Sequence, residues 1–390
     1  VSIPEIDLTD VAVLRDLPTA YARARAQAPV ARLLIPGFPM WAVLRHDAAK
    51  AMLADSRFAL SSNSYQHPAV PDGCRPYLRS LQEMEGAEHA RLRRLVSPAF
   101  TPRRAAQLRP RIARIVGSLL DGLAAEDAPV DLVSGLARPL PMEVICEVVG
   151  IPEVERARWH TYGAAVASGR GDAFAEAIPA IVGDAKAAVA RRREEPADDL
   201  LSDLVRARTD DGDQLHDVEI VALVWLLVLA GQTPTNLIAN AVAALLTHPA
   251  QLAALRADPE LLPGAVDELM RWCGPQLLTV PRFAGADAAI EGVPIPEGAA
   301  VTVSILAANR DPRVFPDPDR LDLARPTGTS GHLGFAHGPH FCLGAALARA
   351  QTAVALDVLL SRWPDLRLAC DVSYQPDPAT WRLAALPVHI

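Results

Sequence analysis

Gly334-Phe335-Ala336-His337-Gly338-Pro339-His340-Phe341-Cys342-Leu343-Gly344-Ala345-Ala346-Leu347-Ala348-Arg349 is the stretch on which the reading of this chain turns. It sets one cysteine after a turn shaped by glycine and proline, and before an apolar, alanine-rich run. That run reads as a helix from about Cys342 to Arg362. A thiol in the first turn of a helix meets the positive end of the helix dipole and backbone N–H groups with no intrahelical partner. Both favour the thiolate, so the pKa of Cys342 is expected to fall. Gly338 can take a positive φ, and Gly344 leaves room for a flat ligand to approach the backbone.

Taken alone, Cys342 fits either a buried free thiol at a helix start or a metal ligand. An anionic, sheltered sulfur suits ferric haem as axial ligand. A structural zinc site would need a fourth ligand cluster beyond His337, His340 and Cys342, and the sequence shows none. Further out, Glu268-Leu269-Met270-Arg271 spaces an acid and a base to share a helix face, and an exposed pair of that kind contributes only a few tenths of a kcal/mol. His89 and Arg93 also share a face at i,i+4, and Arg282 follows Pro281 in a β-like segment. From Arg91 to Arg114 there are eight arginines and no Asp or Glu. This basic run reads as a solvated helical face or as a docking surface for an acidic partner.

The rest of the chain reads as mostly helix. A Pro36-Gly37 turn joins two strands, Val30–Ile35 and Trp41–Leu44, and residues 59–85 read as a long loop. Helices dominate from Glu88 to Ala254, a short helix runs from about Pro263 to Cys273, and Leu277–Ser304 turns β-like. Asp217–Thr247 reads as one buried helix of about 31 residues, roughly 46 Å long. Its most apolar run, Ile220–Ala230, is shorter than the about 20 residues of a membrane span. The net charge of −8 argues against nucleic acid as a partner. Five cysteines without CxxC spacing read as reduced, and no secretory leader is visible, so a soluble cytoplasmic protein is expected.

The quoted loop resembles the haem-binding loop of cytochromes P450, Phe-x-x-Gly-x-His-x-Cys-x-Gly, through Phe335, Gly338, His340, Cys342 and Gly344. The resemblance covers essentially the whole chain. It implies a single domain, 1–390, of the mainly α P450 fold with a small antiparallel β portion. It implies haem b with Cys342 as axial ligand, His89, Arg93, Arg282 and His340 on the propionates, and Phe335 and Gly344 shaping the loop. Glu268 and Arg271 then form a buried structural pair, completed by an arginine from the irregular stretch before the loop, and Arg320 of Asp317-Pro318-Asp319-Arg320 matches that position. The implied reaction uses dioxygen and two electrons from a ferredoxin-type donor and its reductase to oxidise a small organic molecule or a peptide, as expected in natural-product biosynthesis.

One segment departs from the family. Where the long helix should carry Ala-Gly-x-acid-Thr, an acid–alcohol pair that relays protons, this chain has Ala230-Gly231-Gln232-Thr233-Pro234. Thr233 stands at the acid position and Pro234 at the alcohol position. Pro234 lacks the N–H owed to the carbonyl of Ala230, so a kink is expected here with that carbonyl left free. Gly231, Gln232, Thr233 and Pro234 are therefore the candidate catalytic segment. Gln232, Thr233, ordered water or a substrate hydroxyl can replace the relay. The reaction can also need fewer protons, as in the coupling of two aromatic rings without net oxygen insertion. A non-catalytic haem sensor is the remote alternative.

Overall fold

The computed structural model describes residues 2–65, 69–126, 129–168, 172–326 and 331–390. Helices make up most of them: α1 Val11–Arg15, α2 Leu17–Gln27, α3 His46–Ala54, α4 Gly86–Val96, α5 Pro102–Ala124, α6 Pro139–Val149, α7 Glu153–Ser168 and α8 Asp172–Glu194. They continue with α9 Leu200–Arg206, α10 Asp217–Ala230, α11 Pro234–Thr247, α12 Pro249–Ala257, α13 Leu262–Cys273, α14 Ile305–Ala308 and α15 Ala345–Arg362. Residues 59–85, expected as a loop, are folded into short 3-10 turns at Ser62–Ser64, Asp72–Tyr77 and Leu81–Glu83. Positions 66–68 of that stretch lie outside the described residues.

Local chemistry explains these elements. α5 starts where Thr101 accepts a hydrogen bond from the Arg104 N–H with proline at the first helical turn. Its buried residues Ala105, Leu108, Ile112, Val116, Leu120 and Leu123 recur every three or four positions, which makes one continuous apolar face. α15 packs along that face, and α11 packs on α13 and α15. The apolar residues of α10 and α11 are buried within this helical body. Together with the turn between them they span Asp217–Thr247, long and apolar enough to cross a membrane by length and composition. The single helix expected there is broken, as the proline predicted.

The strands are β1 Glu5–Asp7, β2 Val30–Leu34, β3 Met40–Val43, β4 Phe58–Ala59, β5 Val130–Asp131, β6 Arg282–Ala284, β7 Ala288–Ile290, β8 Val293–Ile295, β9 Ala300–Val303, β10 Arg367–Leu368 and β11 Pro387–His389. The expected hairpin is present, with Val30 opposite Val43, Leu33 opposite Met40 and Gly37 at φ 73° in the turn. The main sheet has the order β1-β2-β3-β9-β6-β4. It is mixed, not wholly antiparallel, because β1–β2 and β3–β9 pair parallel. This sheet carries Arg282 toward the segment before the cysteine loop, while α13 and α15 hold the loop from the helical side.

Candidate functional site

The cysteine loop is a tight structure held by backbone hydrogen bonds. Ala336 N–H donates to Leu333 O at 2.9 Å, Phe341 N–H to Gly338 O at 3.0 Å and Cys342 N–H to Phe335 O at 2.9 Å. Gly338 sits at φ 75°, and a Cβ there would lie 2.8 Å from the carbonyl oxygen of Leu53. Only glycine meets both demands. Phe335 is buried with Leu237, Met270 and Ala345, and the Arg349 guanidinium lies 4.4 Å over its ring. Arg349 is fixed in turn by Asp267 at 2.7 Å.

The helix begins at Ala345, three residues later than expected, with Gly344 as its cap. Cys342 therefore precedes the first helical turn instead of occupying it. Desolvation pushes the thiol up, against the opposing pull of the Gly344 N–H, Arg93 and Arg349. The residue is accessible to solvent, yet protein crowds the sulfur on its other sides, so the desolvation is that of a concave wall. A Cβ placed on Gly344 would meet nothing within 4 Å, which leaves open space beside the sulfur for a flat group.

Four basic or imidazole side chains converge near this opening. His89 on α4 is 4% exposed and its Nε2 has no partner. Its ring lies 4.2 Å from that of His340. Burial first, then the neighbouring His340 and Arg93, push its pKa down to about 4. Arg93, one turn along α4, donates to Phe341 O at 2.7 Å. Arg282 on β6 donates to Leu53 O at 3.0 Å and Phe58 O at 3.3 Å. Neither arginine has a carboxylate among these hydrogen-bond partners, and burial lowers the pKa of both. His340 is 3.2 Å from Glu85, the one carboxylate in the cluster. An orphaned imidazole, the buried Arg282 guanidinium and the half-buried Arg93 guanidinium, with Glu85 beside His340, form a donor set that fits two further carboxylates. Haem supplies those as its propionates.

The distal segment differs from expectation in two ways. Gly231 N–H bonds to Leu227 O at 2.9 Å and Thr233 N–H to Ala230 O at 3.2 Å before α11 starts at Pro234. The Ala230 carbonyl is thus taken, not free, because the chain tightens into a three-residue turn that brings the Thr233 N–H to it. Second, Gln232 faces away from the cysteine loop. Leu237 packs against Phe335 and Ala345, so that face of α11 looks toward the loop. Gln232 instead lines a cleft of about 160 Å³ formed by Ser134, Arg138, Met142, His160 and Gly163.

The buried pair behind the loop is present, but its third member is not Arg320. Glu268 and Arg271, with side chains 3% and 2% exposed, pair at 2.7 Å. Arg325 reaches Glu268 at 3.2 Å, while the Arg320 side chain is 64% exposed and pairs with Asp322. Only the Arg320 backbone carbonyl takes part, accepting from Arg271 at 3.3 Å. The irregular backbone turns its guanidinium outward, and Arg325 folds back in. The basic run is also less free than its sequence suggests. Arg91 is held by Asp213 and Glu219, and Arg104 by Asp198 and Asp203.

A family model described as "Cytochrome P450" matches residues 171–365. The chain is 41% identical over 380 residues to the cytochrome P450 monooxygenase PikC of Streptomyces venezuelae, covering 95% of this chain and 90% of that protein. The chain belongs to the cytochrome P450 family. The mycinamicin IV hydroxylase/epoxidase of Micromonospora griseorubida is 42% identical over 360 residues, 89% of this chain and 88% of its own. A solved structure of the mixed-function P450 MycG superposes with a TM-score of 0.89 at 37% identity over 100% of both chains. The protein is a P450 monooxygenase, and its cofactor is haem ligated by a cysteine thiolate. That haem supplies oxygen activation. The protein's own work is to hold the sulfur, to neutralise the propionates and to govern water on the distal side.

Proposed function

We propose that this P450 hydroxylates a natural product of the kind its relatives are named for, with the whole chain acting as one domain. Cys342 is the axial ligand, and His89, Arg93, Arg282 and His340 hold the propionates. The observation that carries the assignment is the convergence of these four side chains beside the sulfur, with Glu85 as the one acid paired to them among the described residues. Phe335 and Gly344 set the loop. Of the segment Gly231–Pro234, Thr233 faces the reacting side and Gln232 the cleft behind it. A ferredoxin-type donor with its reductase supplies electrons in the cytoplasm.

Two measurements test this. Arg282→Ala should weaken haem retention on the order of 10–100-fold, as loss of a supporting partner does in other metal sites. Haem transfer to an acceptor protein reads the effect, and unchanged retention overturns the propionate role. The second is the product mass with a panel of natural products and a ferredoxin system. A gain of one oxygen supports hydroxylation, and a loss of two hydrogens assigns the enzyme to aryl coupling instead.

A further inference from the structure

A monooxygenase turnover consumes one substrate C–H, one O2, two electrons and two protons. One oxygen atom enters the new C–OH bond and the other leaves as water. The electrons come from the redox partner, so the protons must come from solvent. Thr233 and Pro234, which stand at the acid and alcohol positions, carry no group that titrates near neutral pH. The cleft behind the broken helix does. It is lined by Ser134 from the π-helical turn Val133–Ala137, Arg138, Met142 of α6, His160 and Gly163 of α7, and Gln232 of the break.

We propose that this cleft is the proton inlet of the enzyme, with His160 as its proton donor and Gln232 as the residue that positions water at the break. His160 is 31% exposed, which keeps it in exchange with bulk water, and its Nε2 lies 2.6 Å from Glu143 Oε1. The bond to Glu143 engages Nε2 and leaves Nδ1 as the ring nitrogen for water. The hydrogen bond from His160 is the main reason the Glu143 carboxyl stays below its ordinary range, with Arg156 reinforcing it. The other charges around the imidazole are Arg138 at the cleft wall and Glu147, which is paired with Arg156 at 2.8 Å.

The Gln232 Nε2 is buried without a protein partner. It lies 3.1 Å from the position a Cβ on Gly163 would take, so it is the inner wall of the cleft. Its neighbour Thr233 has helical backbone angles and stands four residues before Leu237, on the face that looks toward the cysteine loop. Adjacent residues thus bring the cleft and the haem side together across the break. His160 releases its proton to cleft water, the proton crosses at Gln232–Thr233, and solvent restores it, so no other reactant is consumed.

The inference rests on the monooxygenase reaction, and the test separates the two. His160→Gln can keep a hydrogen bond to Glu143 but cannot titrate. Gly163→Ala places a methyl against Met142 and Gln232 and favours the helix. Both variants should load haem, show the wild-type reduced carbon monoxide spectrum and bind substrate unchanged. In wild type, product formed per O2 should fall as the pH is raised. In His160→Gln that ratio should be on the order of tenfold lower at the acid end and flat with pH, the balance appearing as hydrogen peroxide. A crystal structure should show ordered water between His160 and Gln232 in wild type and lose it in Gly163→Ala. Wild-type coupling and pH profile in both variants, or a dry cleft in the wild-type crystal, overturns the inlet. A wild-type spectrum without the far-red-shifted band overturns the haem-thiolate reading itself.

Discussion

Cys342→Ala is expected to abolish oxidation while leaving the fold standing. The loop around the sulfur is built from backbone: Cys342 N–H to Phe335 O at 2.9 Å, Phe341 N–H to Gly338 O at 3.0 Å, and Gly338 at a φ of 75°. None of these bonds uses the thiol. Truncating the side chain at Cβ removes none of them, so the backbone of the loop should stand. The functional loss is of a different order. A thiolate donates electron density that favours O–O cleavage, and no nearby side chain takes its place. His340, two residues back, is engaged with Glu85 and stacked on His89. The fall in product formation should exceed the about 100-fold typical of losing an outer-shell partner.

Three readouts check this together. The far-red-shifted Soret band of the reduced carbon monoxide complex should vanish, turnover should be lost, and the circular dichroism of the haem-free protein should match wild type. A variant that keeps the shifted band would remove Cys342 from the iron. A variant that fails to fold would show that the sulfur supports the loop, contrary to the bonding above.

What was legible in the sequence is what is local. The cysteine loop is a continuous run, so its resemblance to the family's haem-binding loop could be read residue by residue, with Gly338 answering a nearby backbone demand. The Pro234 break was legible for the same reason, since a missing N–H has its consequence within one turn. The fate of the Ala230 carbonyl was not, because a proline marks where helical bonding fails and not which shorter bond replaces it. The thiol's rise in pKa comes from desolvation by groups brought in from distant parts of the chain, which no local spacing shows. The parallel pairing of β3 with β9 joins Trp41 to Val301, and no local pattern signals a partner so distant. Arg325 was missed because the stretch 309–335 has no periodicity to say which guanidinium turns inward. The direction of the Gln232 side chain, a candidate for the relay, was not legible because a broken helix no longer keeps its faces in register.

Glu268→Gln is expected to be among the most destabilising single substitutions in the chain, at about 3–5 kcal/mol, because it strips a buried hub of its only negative charge. Glu268 Oε2 accepts from Arg271 Nε at 2.7 Å, and Oε1 accepts from Arg271 at 2.8 Å, the Asp322 N–H at 3.0 Å and Arg325 at 3.2 Å. The amide keeps the shape and leaves two buried guanidiniums uncompensated. Arg271 also donates to Asn309 O at 3.0 Å and Pro318 O at 2.7 Å, so it staples the irregular stretch before the cysteine loop to α13. Asn309 in turn accepts the Leu333 N–H at 2.7 Å, immediately ahead of that loop. Loss of the hub should therefore loosen haem as well as lower the denaturation midpoint of the loaded enzyme. A hydrophobic replacement of both Glu268 and Arg271 should not recover stability, since the carbonyls of Asn309 and Pro318 would lose their donor. The decisive comparison is between the two candidate third partners. Arg325→Ala, 12% exposed in wild type, should cost about 1–3 kcal/mol. Arg320→Ala should stay within about 0.5 kcal/mol, because its guanidinium stands in solvent. Equal losses from the two would return Arg320 to the hub and show that the stretch packs differently around bound haem.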